Sequence, residues 1–195
     1  IDLLRDTDAF SKLLDMPHQK LSGRKMLLEF DPASDYEKVI DSLAMEAIAN
    51  VEPMFVFTSR SSILHACLAK RPWVRFFLLS TSISTPESTA ENETNVPAKN
   101  PALILDSINK VLEEYPHANV LLVFDKLSDL LELVGPERTY RFLHYALDIF
   151  TSARVTALFL LNTIAHEPQV ISQIRGLFPN LLIYRKSALE IGKIS

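Results

Sequence analysis

The chain of 195 residues holds one cysteine, Cys67, and only four glycines, none of them between Gly23 and Gly135. A lone cysteine excludes an internal disulfide and any cysteine-based metal site. The glycine-free stretch excludes a glycine-rich phosphate loop within it, because successive backbone N–H groups wrap a phosphate only where glycines permit. No basic surplus exists either: 20 Lys and Arg stand against 24 Asp and Glu, a net charge of -4. Nucleic-acid binders need a basic patch or stripe. The largest local basic group here, Lys70-Arg71 with Arg75 nearby, is too small, so no nucleic-acid partner is expected. No uncharged apolar run approaches the roughly 18 residues of a membrane-spanning helix. The opening Ile1-Asp2-Leu3-Leu4-Arg5-Asp6 is broken by charge, unlike a signal peptide. The expectation is a cytoplasmic protein in a reducing setting, with no membrane contact.

What is present is apolar material in short runs. Hydrophobic residues make up 48% of the chain and charged residues 23%, an ordinary balance for a globular core. Six runs are strand-like: Met26–Phe30, Met54–Phe57, Val74–Leu79, Val120–Phe124, Val155–Leu161 and Leu181–Tyr184. Most are continuous rather than alternating, as strands buried on both faces are. Between them lie helical patterns. From Asp35 to Asn50, residues Val39, Ile40, Leu43, Ala44, Ala47 and Ile48 form one stripe, and Ser34 with Glu37 makes a capping-box pattern. Asn100-Pro101 and Gly135-Pro136 each open a helix with proline at its first position, the latter running to Ser152. Ser59 to Lys70 reads as a further helix, and Phe10, Leu13 and Leu14 suggest a short one near the start. Ser187 to Ser195 reads as an antiparallel edge strand.

Strands alternating with helices imply a single domain over residues 1–195. Its fold is a three-layer α/β/α arrangement, a mainly parallel sheet with helices on both faces. One stretch departs from this pattern. Ser80 to Lys99 is rich in Ser, Thr, Glu, Asn and Pro, and reads as a mobile surface loop.

The rhythm of the first strand, running through Glu29, Asp31, Pro32 and Ser34 into a helix, resembles the KaiC-like branch of the RecA superfamily and its mainly archaeal, degenerate relatives. Val123 to Leu131 looks like that family's Walker B strand and following turn. Arg138 to Leu143, Thr156 to Asn162 and His166 to Phe178 continue the similarity, so it covers roughly Lys25 to Arg185. The resemblance implies a RecA-like sheet. It also implies that Phe30, Ala33 and Asp35 stand at the three glycine positions of a phosphate loop, Tyr36 at its lysine and Glu37 at its Ser/Thr. Asp31, Asp35 and Glu37 would face a polyphosphate with like charge. Two charges about 4 Å apart repel by about 4 kcal/mol at an effective dielectric of 20. A helix N-terminus returns only about 0.3–2 kcal/mol. The catalytic glutamate expected after the second strand is also missing, where Thr58-Ser59-Arg60-Ser61-Ser62 stands instead. Only the Walker B aspartate, Asp125, remains, and an Asp at a strand end is expected to cap the next helix.

Other chemistry-bearing residues are read plainly. His166-Glu167 precedes Pro168 and is read as a helix start. Cys67, among Ile63, Leu64, Ala66 and Leu68, is read as a structural thiol. His144 sits on a solvated or packed face, and His18, His65 and His117 lack ligand spacing. Trp73 suits either a partner anchor or a strand-entry contact. No Gly-x-Ser-x-Gly elbow occurs. No catalytic residue, metal site or cofactor is therefore expected. The leading reading is a non-catalytic, regulatory or scaffolding module that acts through protein partners, including further copies of itself. The alternatives are a nucleotide-binding protein with a remodelled site at Ser34, Lys38, Asp125 and His166, or a small-molecule enzyme using Asp31, Asp125 and His166.

Overall fold

The computed structural model describes residues 6–151 and 154–195, so Ile1 to Arg5 and the expected helix end at Ser152 lie outside the described residues. The strands are β1 (Lys25–Phe30), β2 (Met54–Thr58), β3 (Val74–Ser80), β4 (Glu87–Ala90), β5 (Glu93–Pro97), β6 (Val120–Phe124), β7 (Val155–Asn162), β8 (Asn180–Arg185) and β9 (Ala188–Lys193). The helices are α1 (His18–Leu21), α2 (Tyr36–Ala49), α3 (Ile63–Leu68), α4 (Pro101–Glu114), α5 (Leu127–Val134), α6 (Pro136–Thr151) and α7 (Pro168–Leu177). The described strands form one sheet in the order β4-β5-β3-β2-β6-β7-β1-β8-β9, antiparallel only at its two outer pairs.

The central strands β3, β2, β6, β7 and β1 are largely buried on both sides, which is why their sequences read as near-continuous apolar runs. Period-two alternation still sorts their side chains. In β6, Val120, Leu122 and Phe124 join the core beneath α4 to α7, while Leu121 and Val123 join the core beneath α2 and α3. Phe124 packs among Phe57, Phe142 and Phe159 at ring distances of 5.4 to 5.8 Å. Chain direction explains the two layers. From β1 to β2 and on to β3 the chain moves one way across the sheet; from β5 to β6, β7 and β8 it moves the other way. With one crossover hand, the two directions place their helices on opposite faces.

Four expectations change. Ser80 to Lys99 carries β4 and β5 instead of a structureless loop. β5 pairs parallel with β3 and buries Val96 and Pro97, with Ala98 buried just beyond it, while every β4 side chain is exposed. A ladder at a sheet edge is held by backbone hydrogen bonds and tolerates polar side chains, so composition hid it. The capping box at α2 does not form: Asp35 is the capping position without a side-chain bond, and Ser34 Oγ instead donates to the Asp31 carbonyl. A separate helix, α5, lies between β6 and α6. Near the start, Phe10 and Leu14 are buried as expected, but Leu13 points outward from a 3-10 turn, Ser11–Leu14. The edge strand at the C-terminus forms where expected, as β9.

A buried charge cluster ties the N-terminal segment to α2. Glu46 is fully buried. Its Oε1 accepts from the Phe10 and Ser11 N–H groups at 3.1 and 2.8 Å and from Ser11 Oγ at 2.8 Å. The His18 ring bridges Glu46 Oε2 at 2.8 Å and Glu52 Oε1 at 2.7 Å. Burial alone lowers the His18 pKa, but the two carboxylates outweigh it and raise the value. A raised histidine pKa means the stabilisation is complete below the unfolded value of about 6.5 and is lost as pH climbs through the folded value. The wild-type melting temperature is therefore expected to fall between pH 6 and 9 more steeply than that of His18→Gln. Glu46→Ala should lose about 3 kcal/mol in urea unfolding, because it strands buried donors.

Candidate functional site

Two places at the carboxyl ends of the strands matter. The first is the turn between β1 and α2, where the resemblance puts a phosphate loop. Asp31 builds this turn: its Oδ1 accepts from Ala33 N–H at 2.9 Å and its carbonyl from Ser34 N–H at 2.9 Å. The turn's own polar groups thus satisfy one another. The Tyr36 side chain then turns inward. It is buried, and its ring centre lies 4.3 Å from that of Phe30. Burial raises the phenol's pKa, the charge of Asp125 pushes the same way, and contact with Ser62 opposes both. Tyr36 is thus a buried phenol packed on Phe30. Around it, Asp35 accepts from the Tyr184 hydroxyl at 2.5 Å, which holds its carboxyl below the usual range. Lys38 Nζ lies 3.6 Å from Asp35. Glu37 Oε2 is buried and finds no hydrogen-bond partner among the described residues.

Asp125 follows β6 and is almost enclosed. It does not cap α5, whose first turn receives no side-chain bond from the capping position, Lys126. Its Oδ2 instead accepts from Thr58 Oγ1 at 2.6 Å and Ser62 Oγ at 2.9 Å, and its N–H donates to the Phe57 carbonyl. The hydroxyls that replace an acid after β2 therefore serve as its partners. Burial raises the Asp125 pKa despite Lys126 and the two hydroxyls.

The second place is a cleft of about 560 Å³ over the ends of β2, β3 and β6. Here the strand order reverses: β2 leads through α3 to one face, and its neighbour β6 leads through α5 to the other. Diverging connections leave a crevice, the usual ligand position in open α/β sheets. Arg60, Lys126 and Asp129 line it, with the hydroxyls of Ser59, Ser61, Ser80 and Ser82. Sequence reasoning missed this cleft. The run Thr58 to Ser62 was its only local signal.

The four residues of the nucleotide alternative each have a setting of their own. Ser34 is spent on its own turn, Lys38 is exposed beside Asp35, and Asp125 is enclosed. His166 follows β7 half-buried, its Nε2 without a partner among the described residues. Asp31, of the enzyme alternative, is exposed in the turn. Pro168 opens α7 with Glu167 before it, as expected. Cys67 is half-buried and its thiol is raised by burial, away from nucleophilic use. Trp73 takes the strand-entry role, its Nε1 donating to the Ala44 carbonyl at 3.0 Å. Glu29, the one acid in β1, is buried in a fork with Arg175 of α7, with Arg175 Nη2 at 2.6 Å. A lone carboxylate inside an apolar run was the available sign of that tie.

Strand order and layers are those of a RecA-like three-layer α/β/α fold. A model of the DUF7504 family, described as a family of unknown function, matches residues 23–180, and the chain belongs to that family. No curated protein matches the sequence. Among solved structures, the PH0250 protein of Pyrococcus horikoshii OT3 is similar with a TM-score of 0.65 and 12% identity, covering 89% of this chain and 87% of its own. The flagellar accessory protein FlaH of Methanocaldococcus jannaschii has a TM-score of 0.54 and 13% identity, covering 91% and 83%. Identities this low show a shared fold. Among the described residues no helix is long and apolar enough to cross a membrane.

The raised pKa of Asp125 fixes a sign. A carboxyl raised in the folded state contributes most below its unfolded value of about 3.9, and that contribution is lost as pH rises through the folded value. At pH 7 the Asp125→Asn variant is therefore expected to unfold within about 1 kcal/mol of wild type. Asp125→Ala, which strands two hydroxyls, should lose about 2 kcal/mol. Urea denaturation of the three proteins checks both.

Proposed function

We propose that this chain is one RecA/KaiC-like domain with a degenerate phosphate loop. It acts through protein partners in a regulatory or scaffolding role, with no ATP-driven catalysis. The observation that carries the reading is Tyr36, buried and packed against Phe30 at the position where the family resemblance requires a phosphate-binding lysine. Three features support it. The loop holds Asp31, Asp35 and Glu37 and no glycine. The carboxylate after β6 is committed to Thr58 and Ser62. The lysine in the first turn of α2, Lys38, already has an acidic neighbour. A polyphosphate would have to displace a buried aromatic ring and approach three carboxylates.

Exposed apolar side chains supply material for contact with partners. Val51, Ile164 and Tyr145 are 86%, 78% and 60% exposed. Assembly with further copies is part of the proposal, because a RecA-like core without its phosphate loop keeps its packing surfaces.

Titration calorimetry of the full chain with ATP and ADP, with and without Mg²⁺, tests the catalytic half. No heat is expected at about 1 mM nucleotide, a concentration at which binding at –4 kcal/mol would be visible. Saturable binding abolished by Asp125→Ala or His166→Ala would overturn the reading. Light scattering behind size exclusion tests assembly, with a dimer or larger expected. A monomer at all concentrations would leave partners of other sequence as the sole form of the proposal.

A further inference from the structure

The cleft at the β2–β6 switch point is separate from the plugged turn after β1. We propose that it binds a small organic anion: a carboxylate or phosphate head group on a compact apolar body. Its volume of about 560 Å³ lies inside the usual span for small-ligand sites. Its lining has two characters. Leu78, Leu79, Leu130 and Leu133 supply an apolar wall, and Arg60 and Lys126 supply two cations against the single acid Asp129. That balance favours a ligand with one negative end.

The cations are held loosely. Arg60 Nη2 reaches Glu93 at 3.3 Å, and Lys126 Nζ reaches Asp129 at 3.4 Å. By contrast, the guanidinium of Arg71 forks onto Asp41 with both contacts at 2.9 Å. Pairs as long and exposed as that of Arg60 contribute little, so re-aiming toward a ligand costs little. A single contact also leaves most guanidinium N–H groups available for a planar or tetrahedral oxyanion. Hydroxyls complete the set. Ser59 Oγ and Ser61 Oγ lie 3.5 Å apart on the loop after β2, and Ser80 Oγ and Ser82 Oγ lie 2.9 Å apart where β3 ends and its loop begins. Each pair can turn donors toward an anion held between them and α5.

The test uses the full chain labelled with ¹⁵N, titrated with phenyl phosphate, benzoate and the neutral phenol. Saturable amide shifts are expected at Ser59–Ser61, Ser80–Ser82 and Lys126–Leu133, with one anion at least about tenfold tighter than phenol. Whichever anion binds more tightly identifies the head group. Arg60→Gln and Lys126→Gln should each weaken it by about tenfold. The rest of their spectra should match wild type, which separates lost binding from lost folding. No saturable shift with either anion up to about 10 mM, phenol binding as tightly as the anions, or both variants binding as wild type would each overturn the proposal.

Discussion

Each of the central strands β2, β6 and β7 must satisfy two apolar faces at once, and the rest of the structure follows from that demand. Phe124 on one face of β6 and Val123 on the other are both fully buried. Neither core could exist if its helices did not cover the full width of the strands. The helices are therefore split between the faces by the direction in which the chain crosses the sheet. Burying a side chain such as Leu or Phe stabilises by about 1.5–3 kcal/mol, and dozens do so here. Polar groups are pushed to the strand ends, where the connections diverge and water can enter.

Those ends carry whatever chemistry the protein has. At the turn after β1 the space is taken by aromatic packing between Phe30 and Tyr36. Beside it, Asp125 is satisfied by two hydroxyls from the end of β2 and its connection, so an acidic side chain inside the protein serves the link between β2 and β6. A carboxylate enclosed in this way is committed, since leaving its partners would strand buried donors on both sides. The open space lies one step outward, over β2, β3 and β6, where the lining is hydroxyl-rich and only loosely ion-paired. The two positions differ physically: packed aromatic rings stand at one, and an open cleft of about 560 Å³ lies at the other.

The buried carboxylates share a pattern. Glu29 answers Arg175, Glu46 answers His18 and three donors around Ser11, and Asp125 answers Thr58 and Ser62. Each joins elements far apart in sequence, β1 to α7, the N-terminal segment to α2, and β6 to the β2 connection. Removing one partner from such a pair is costly, because the other stays buried and unpaired. They act as ties that give the layers a defined alignment, which apolar packing alone leaves looser.

Much of the architecture was legible in the chain itself. Continuous apolar runs announced doubly buried strands, and Asn100-Pro101, Gly135-Pro136 and Glu167-Pro168 announced helix starts, because backbone geometry and burial are local consequences of residue type. The absence of glycine after β1 was equally plain. Tertiary structure alone decided the remainder. β4 and β5 exist because β3 offers a free backbone edge, which no composition reports. The role of Asp125 was decided by hydroxyls 63 and 67 residues away, and Ser34 took its own turn rather than a helix cap. The cleft belongs to four separate segments that meet only when the strands are in order. Sequence determined which residues had to be buried; only folding decided which polar groups would find one another, since that depends on distances the chain sets in three dimensions.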